Sequence, residues 1–117
     1  MTNPGDLVRS YYRAVDAGDI EGVLECFAED ARYDRGGYPP LQGAADLRRF
    51  YAHDRVIASG RHRVERILVD GRTAAALGTF QGTSKSGDAL DIRFADFFVF
   101  HDDLIGQRTT YFLTAGV

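Results

Sequence analysis

The stretch DIRFADFFVF, residues 91–100, decides how the chain is read. It has the length and the aromatic and β-branched character of a strand. Strand side chains alternate between faces, so Ile92, Phe94, Asp96 and Phe98 share one face, and Arg93, Ala95, Phe97 and Val99 share the other. Asp96 therefore sits among phenylalanines. A carboxylate there is costly to ionise without a partner, so the strand predicts either a hydrogen-bonded structural acid or a functional one. The second face is too apolar to be left in water and predicts a partner surface.

Working outward, the stretch belongs to a β-rich second half. Residues 61–69 alternate and end in the turn Asp70-Gly71. Residues 72–83 form a second strand, closed by the hairpin Lys85-Ser86-Gly87-Asp88 onto residues 90–100. His101-Asp102-Asp103 turns the chain into a last strand over residues 104–114, with Arg108, Thr110 and Phe112 on one face.

The first half is helical. Asn3-Pro4 opens a helix with Leu7, Val8, Tyr11, Tyr12 and Val15 on one side, and Gly18 ends it. Asp19 caps a second helix carrying Ile20, Val23, Leu24, Phe27 and Ala28. Residues 31–35 read as a short strand with Ala31, Tyr33 and Arg35 on one face and Arg32 and Asp34 on the other. After the loop at residues 36–40, Gly43 leads into a third helix with Leu47, Phe50, Tyr51 and Asp54 on one face, stopping near Gly60. Helices followed by a meander of long strands make an α+β plan, a curved sheet wrapped on helices with a pocket between them.

Composition narrows the function classes. The chain has 117 residues, 44% hydrophobic and 26% charged, with a net charge of −3. That is the size of one domain, spanning residues 1–117, with one core and a small pocket. The absence of basic runs and a pI near 5.5 argue against nucleic acid as a partner. The apolar run at 91–100 contains Asp and Arg, so it does not read as a membrane span. The start MTNPGDLV lacks the pattern of a signal peptide, and the single cysteine, Cys26, fits a reducing cytoplasm. Three scattered histidines give no metal-ligand spacing, so no metal is expected. His62, between Arg61 and Arg63, reads as a solvated edge residue, and Asp54 as a reserve candidate for a base.

The stretches YYRAVDAGDIEGVLECFAEDA (11–31), YPPLQGAADLRRFY (38–51) and RFADFFVFHDDLIGQRTTYF (93–112) resemble the ketosteroid isomerase and nuclear transport factor two-like superfamily, with the SnoaL-like polyketide cyclases as the branch. The resemblance implies a cone-shaped barrel of three N-terminal helices packed on a curved, mixed, mostly antiparallel sheet, and a homodimer formed through the outer sheet face. It also implies a hydrophobic small-molecule ligand and cofactor-independent isomerase, cyclase or lyase chemistry on a polyketide- or steroid-like carbonyl compound.

Carried over by residue, Tyr11 and Asp96 match the isomerase oxyanion hole, where the acid is kept protonated to donate a hydrogen bond. Tyr51 matches a supporting tyrosine. Arg35 stands where the general base is expected, and Asp34 takes that place only if the strand slips by one residue. Tyr33, Phe94, Phe98, Arg108, Thr110 and Phe112 are the implied ligand-binding residues. Asp96 is either a neutral donor or the ionised partner of Arg35 or Arg108. Replacement of the base by Arg35 keeps a non-catalytic binding dimer open as an alternative. For the limonene epoxide hydrolase branch, Thr110 stands where the last catalytic Asp belongs and residues 74–82 lack the expected Arg/Asp pair.

Overall fold

Asn3 accepts a hydrogen bond from the Gly5 amide (2.8 Å) and starts α1, Pro4–Ala17. The computed structural model describes residues 3–113. At Gly18, φ is 68°, a left-handed conformation that glycine adopts without a Cβ clash. The Gly18 and Asp19 amides then satisfy Val15 and Ala14 carbonyls at the helix end. The Asp19 side chain caps α2, Ile20–Glu25, through the Gly22 amide (3.0 Å).

The second helix is shorter than its apolar spacing predicts. Phe27 and Ala28 belong to β1, Phe27–Arg35, which runs parallel to the last strand with Phe27 opposite Ile105. The Ile105 amide bonds the Cys26 carbonyl (2.8 Å), so sheet pairing takes over from helical periodicity there. β2, Leu41–Gln42, pairs antiparallel with β1. The third helix, α3, covers Gly43–Arg49 and continues as a π-helical turn over Phe50–Asp54.

It does not run on to Gly60. β3 begins at Ile57 and extends to Asp70, paired along its length with β4, Thr73–Ser84. Gly60 and Gly82 face each other across that pair, and the Phe80 ring lies where their Cβ atoms would be, at 2.2 and 2.8 Å. Glycine on both strands is what lets this ring lie over the backbone.

β5, Ala89–His101, and β6, Leu104–Phe112, complete one six-stranded sheet in the order β2-β1-β6-β5-β4-β3. The sheet is not closed; β2 and β3 are its edges. All pairs are antiparallel except β1 with β6. Thr114, expected at the end of the last strand, lies outside the described residues.

The alternation read from residues 91–100 holds. Ile92, Phe94, Asp96, Phe98 and Phe100 are buried against the helices, and Phe97 is half exposed on the outer face. There it packs edge to face with Tyr111, next to exposed Leu77. Register then aligns the inner-face residues into two rows. Ala76, Asp96, Thr110 and Arg35 lie across the sheet in one; Ala74, Phe98, Arg108 and Tyr33 lie in the other. Among the described residues no helix is long and apolar enough to cross a membrane.

Candidate active site

The carboxylate of Asp96 is fully buried, and three donors from two elements, α1 and β6, converge on it. Arg108 of β6 donates through an Nη to Oδ2 at 2.8 Å, forming an ion pair. The Tyr12 hydroxyl of α1 donates to the same oxygen, and the Thr110 hydroxyl donates to Oδ1. Because Thr110 spends its one proton on Asp96, it accepts from the Tyr33 hydroxyl (3.1 Å).

The other Nη of Arg108 donates to the Tyr11 hydroxyl, and to that of Tyr51 at 3.2 Å. Tyr11 and Tyr51 share a further hydrogen bond. The Arg108 guanidinium also lies over the rings of Tyr33 (4.4 Å) and Tyr11 (4.8 Å). Burial works against the Arg108 charge, but the Asp96 carboxylate beside it and the surrounding phenols hold its pKa well above the ordinary arginine value.

This geometry corrects the expectation of a Tyr11/Asp96 donor pair. Asp96 does not line the cavity, and its two oxygens are acceptors for three donors. It is the partner of Arg108. Tyr51, expected as a supporting tyrosine, hydrogen-bonds the Tyr11 hydroxyl.

Burial lifts the Tyr11 and Tyr12 phenols well above the usual value. Arg108 opposes the lift in both, while the Asp96 carboxylate adds to it more strongly at Tyr12. Burial raises Tyr51 to about 12, again against the pull of Arg108. All three are therefore neutral hydroxyls near neutrality. In the unfolded chain a tyrosine ionises near pH 10, so the stability these groups contribute is complete below about pH 10. It is lost as pH rises from there through the raised folded values. The urea midpoint is expected to be level from about pH 8 to 9.5 and to fall between about pH 10 and 12. A midpoint still level at pH 12 would contradict this burial.

Beside the network lies an internal cavity of about 30 Å³. It is lined by Tyr11, Tyr51, Arg108, Thr110, Phe94, Phe112 and Arg35 from the expected set, together with Arg55, His62 and Phe80. Tyr33 and Phe98 are buried but not on its wall. Arg35 is caged by the rings of Tyr38 (5.1 Å), Phe112 (5.1 Å) and Phe50 (5.4 Å). Its neighbour Asp34 turns outward and bonds Arg32 at 2.9 Å, so the strand has not slipped and Asp34 is no base for this cavity. Asp54 is exposed and paired with Arg49 (3.4 Å), which removes it as well.

The cavity shares Val15, Tyr51, Arg55, Ile57 and Phe80 with an open groove of about 470 Å³ between the first two helices and the start of β3.

His62, unlike Asp34 and Asp54, does line this cavity. It is not the solvated edge residue its arginine neighbours suggest, for its side chain is only 10% exposed. Its Nδ1 lies 2.6 Å from Asp16 Oδ1, and its backbone amide donates to Asp16 Oδ2 at 2.8 Å. Its ring packs against Phe80 (4.7 Å), Tyr12 (4.9 Å) and Phe94 (5.4 Å). Asp16 thus fixes both the ring orientation and which nitrogen carries the proton, leaving Nε2 as the atom free to exchange one. The sequence does carry a signal for it. Arg61 and Arg63 face out, so period-two alternation sends His62 inward, and Tyr12 and Asp16 lie one helical turn apart.

Comparison with known proteins agrees with this architecture. A solved NTF2-like protein of unknown function from Burkholderia pseudomallei is 23% identical over 96% of this chain and 92% of its own, with a TM-score of 0.86. A Silicibacter protein assigned as a polyketide cyclase is 26% identical over 92% of this chain and 87% of its own (TM-score 0.76). A Kribbella flavida protein assigned as a ketosteroid isomerase is 24% identical over 96% and 78% (TM-score 0.77). The model of the SnoaL-like domain matches residues 8–107, and the chain belongs to that family.

Proposed function

We propose that the protein is a cofactor-independent isomerase, cyclase or lyase that removes a proton next to the carbonyl of a hydrophobic, polyketide- or steroid-like compound. The observation that carries this reading is that His62, held by Asp16, lines the same cavity as the Tyr11–Tyr51–Arg108 cluster. His62 Nε2 takes the proton. The Tyr11 hydroxyl, already accepting from Arg108, donates its own proton toward the substrate oxygen, with Tyr51 completing its hydrogen bonding. The Arg108 charge beside it favours the negative charge that develops there. Arg108 Nε is buried without a hydrogen-bond partner, a donor that a ligand oxygen can satisfy. Asp96 acts one step back, as the counter-ion that keeps Arg108 in place. From the enolate, reprotonation elsewhere gives isomerisation, attack on a second carbonyl gives cyclisation, and loss of a β-hydroxyl gives elimination.

The test is a panel of β-hydroxy ketones, β,γ-unsaturated ketones and linear polyketones followed by NMR. At least one class is expected to be converted, and Tyr11→Phe is expected to slow the conversion by about 10²- to 10³-fold. Full turnover in Tyr11→Phe would sink the oxyanion assignment.

One observation favours the alternative of a non-catalytic binding protein. The inner cavity, at about 30 Å³, holds only about two waters at rest. On that reading a panel compound binds the groove and is returned unchanged. Hydrolysis of the epoxide hydrolase kind has less support, because Asp96 is committed to Arg108 and position 110 is a threonine bonded to that same acid.

A further inference from the structure

Arg55 is a cation the proton-transfer reading leaves unused. It follows the π-helical turn, in extended backbone (φ −67°, ψ 143°), and its guanidinium lies 5.8 Å over the Tyr51 ring. It lines both the inner cavity and the open groove, so it sits at the neck between them. Its Nε is buried with no hydrogen-bond partner. Among the described residues it makes no ion pair, and the nearby acids are committed elsewhere. Asp54, next in sequence, pairs with Arg49. Asp16, the acid on the groove wall, gives both oxygens to His62. No described carboxylate lines the inner cavity. Lys85, also on the groove wall, donates to the His53 carbonyl and carries no acid either.

The neck therefore holds a partly desolvated, uncompensated positive charge. Such a charge attracts an anion more strongly than it would in open water. A planar guanidinium with free N–H groups matches a carboxylate in particular, since both N–H groups can donate in parallel.

We propose that Arg55 selects a substrate bearing a carboxylate, so that the ligand class is a hydrophobic carbonyl acid rather than a neutral ketone. The acid group rests on Arg55 at the neck, the apolar body lies along the groove, and the carbonyl reaches inward toward Tyr11. The placement of the reacting end rests on the proton-transfer reading; the anion preference does not.

The test compares naphthoate with its neutral amide, naphthamide, by calorimetry or NMR titration on the full chain. A ring system of that size suits a groove of about 470 Å³. Naphthoate is expected to bind wild-type protein about ten-fold more tightly than naphthamide, the scale of one charge-assisted pair. Arg55→Met is expected to remove the preference while keeping the wild-type circular dichroism spectrum, and Arg55→Lys to retain part of it. Equal affinity for the two probes, failure of naphthoate to bind at about 10 mM (weaker than about −2.7 kcal/mol), or a preference that survives Arg55→Met would each overturn the proposal. Proton exchange on the wild type is read separately. An anion preference without exchange leaves Arg55 assigned and fails the proton-transfer reading; exchange without the preference does the reverse.

Discussion

Asp96→Ala is expected to cost roughly 3–5 kcal/mol of folding stability and to lower the melting temperature by more than about 10 °C. The reason is not the loss of one hydrogen bond. Arg108 is 7% exposed at its side chain, and Asp96 is its ion-pair partner, so removing the acid strands a buried guanidinium. Tyr12 and Thr110 lose their acceptor at the same time, and buried donors without partners add their own desolvation cost. Asp96→Asn keeps an acceptor oxygen but not the charge, so it is expected to fall between the two. The double variant Asp96→Leu with Arg108→Met removes both charges and is expected to recover much of the loss, giving a coupling energy of about 2 kcal/mol or more in a double-mutant cycle. Chemical denaturation of wild type, Asp96→Leu, Arg108→Met and the double variant measures the coupling. An Asp96→Ala protein melting within about 2 °C of wild type would show that the buried pair does not carry this weight.

Asp16→Asn is expected to reduce turnover by about 10²- to 10⁴-fold with little change in stability. Asp16 is 21% exposed at its side chain, so the substitution fits sterically. Its effect is on His62. The carboxylate accepts from Nδ1–H and so presents Nε2 as the basic atom; an amide in its place favours the other tautomer and no longer stabilises the imidazolium that forms. The loss is expected in kcat with KM nearly unchanged, because Asp16 holds a proton-transfer group and not the ligand body. A rise in KM alone would place Asp16 in the groove as a binding residue.

Where each feature could be read in the sequence follows from the range of the interactions that make it. The alternation in residues 91–100 is local, and it correctly places Asp96 inward and Phe97 outward. Helix starts at Pro4 and Asp19 are written in their own caps. Boundaries set by distant strands were not legible. Phe27 and Ala28 fit a helix by spacing, yet Phe27 pairs with Ile105, which lies 78 residues on (105 − 27). The 57–60 segment continued a helical run, yet β4 captures it as strand.

The same division holds at the site. Tyr11, Tyr51 and Arg108 were legible through a resemblance that fixes facing. The choice between a protonated Asp96 and an ion pair depended on one rotamer of Arg108, which no sequence pattern encodes. His62 was misread because its neighbours in sequence are charged, whereas its neighbours in space are Phe80, Phe94, Tyr12 and Asp16.

On the proposed function, His62 moves a proton on a ligand that lies in the groove and reaches its carbonyl into the inner cavity. Deuterium wash-in next to the carbonyl of a bound ketone, followed by NMR in heavy water, measures that step without requiring the natural product. Wild-type protein is expected to exchange the proton, and His62→Ala to slow the exchange by about 10²-fold or more while remaining folded. Exchange at the wild-type rate in folded His62→Ala would contradict the account.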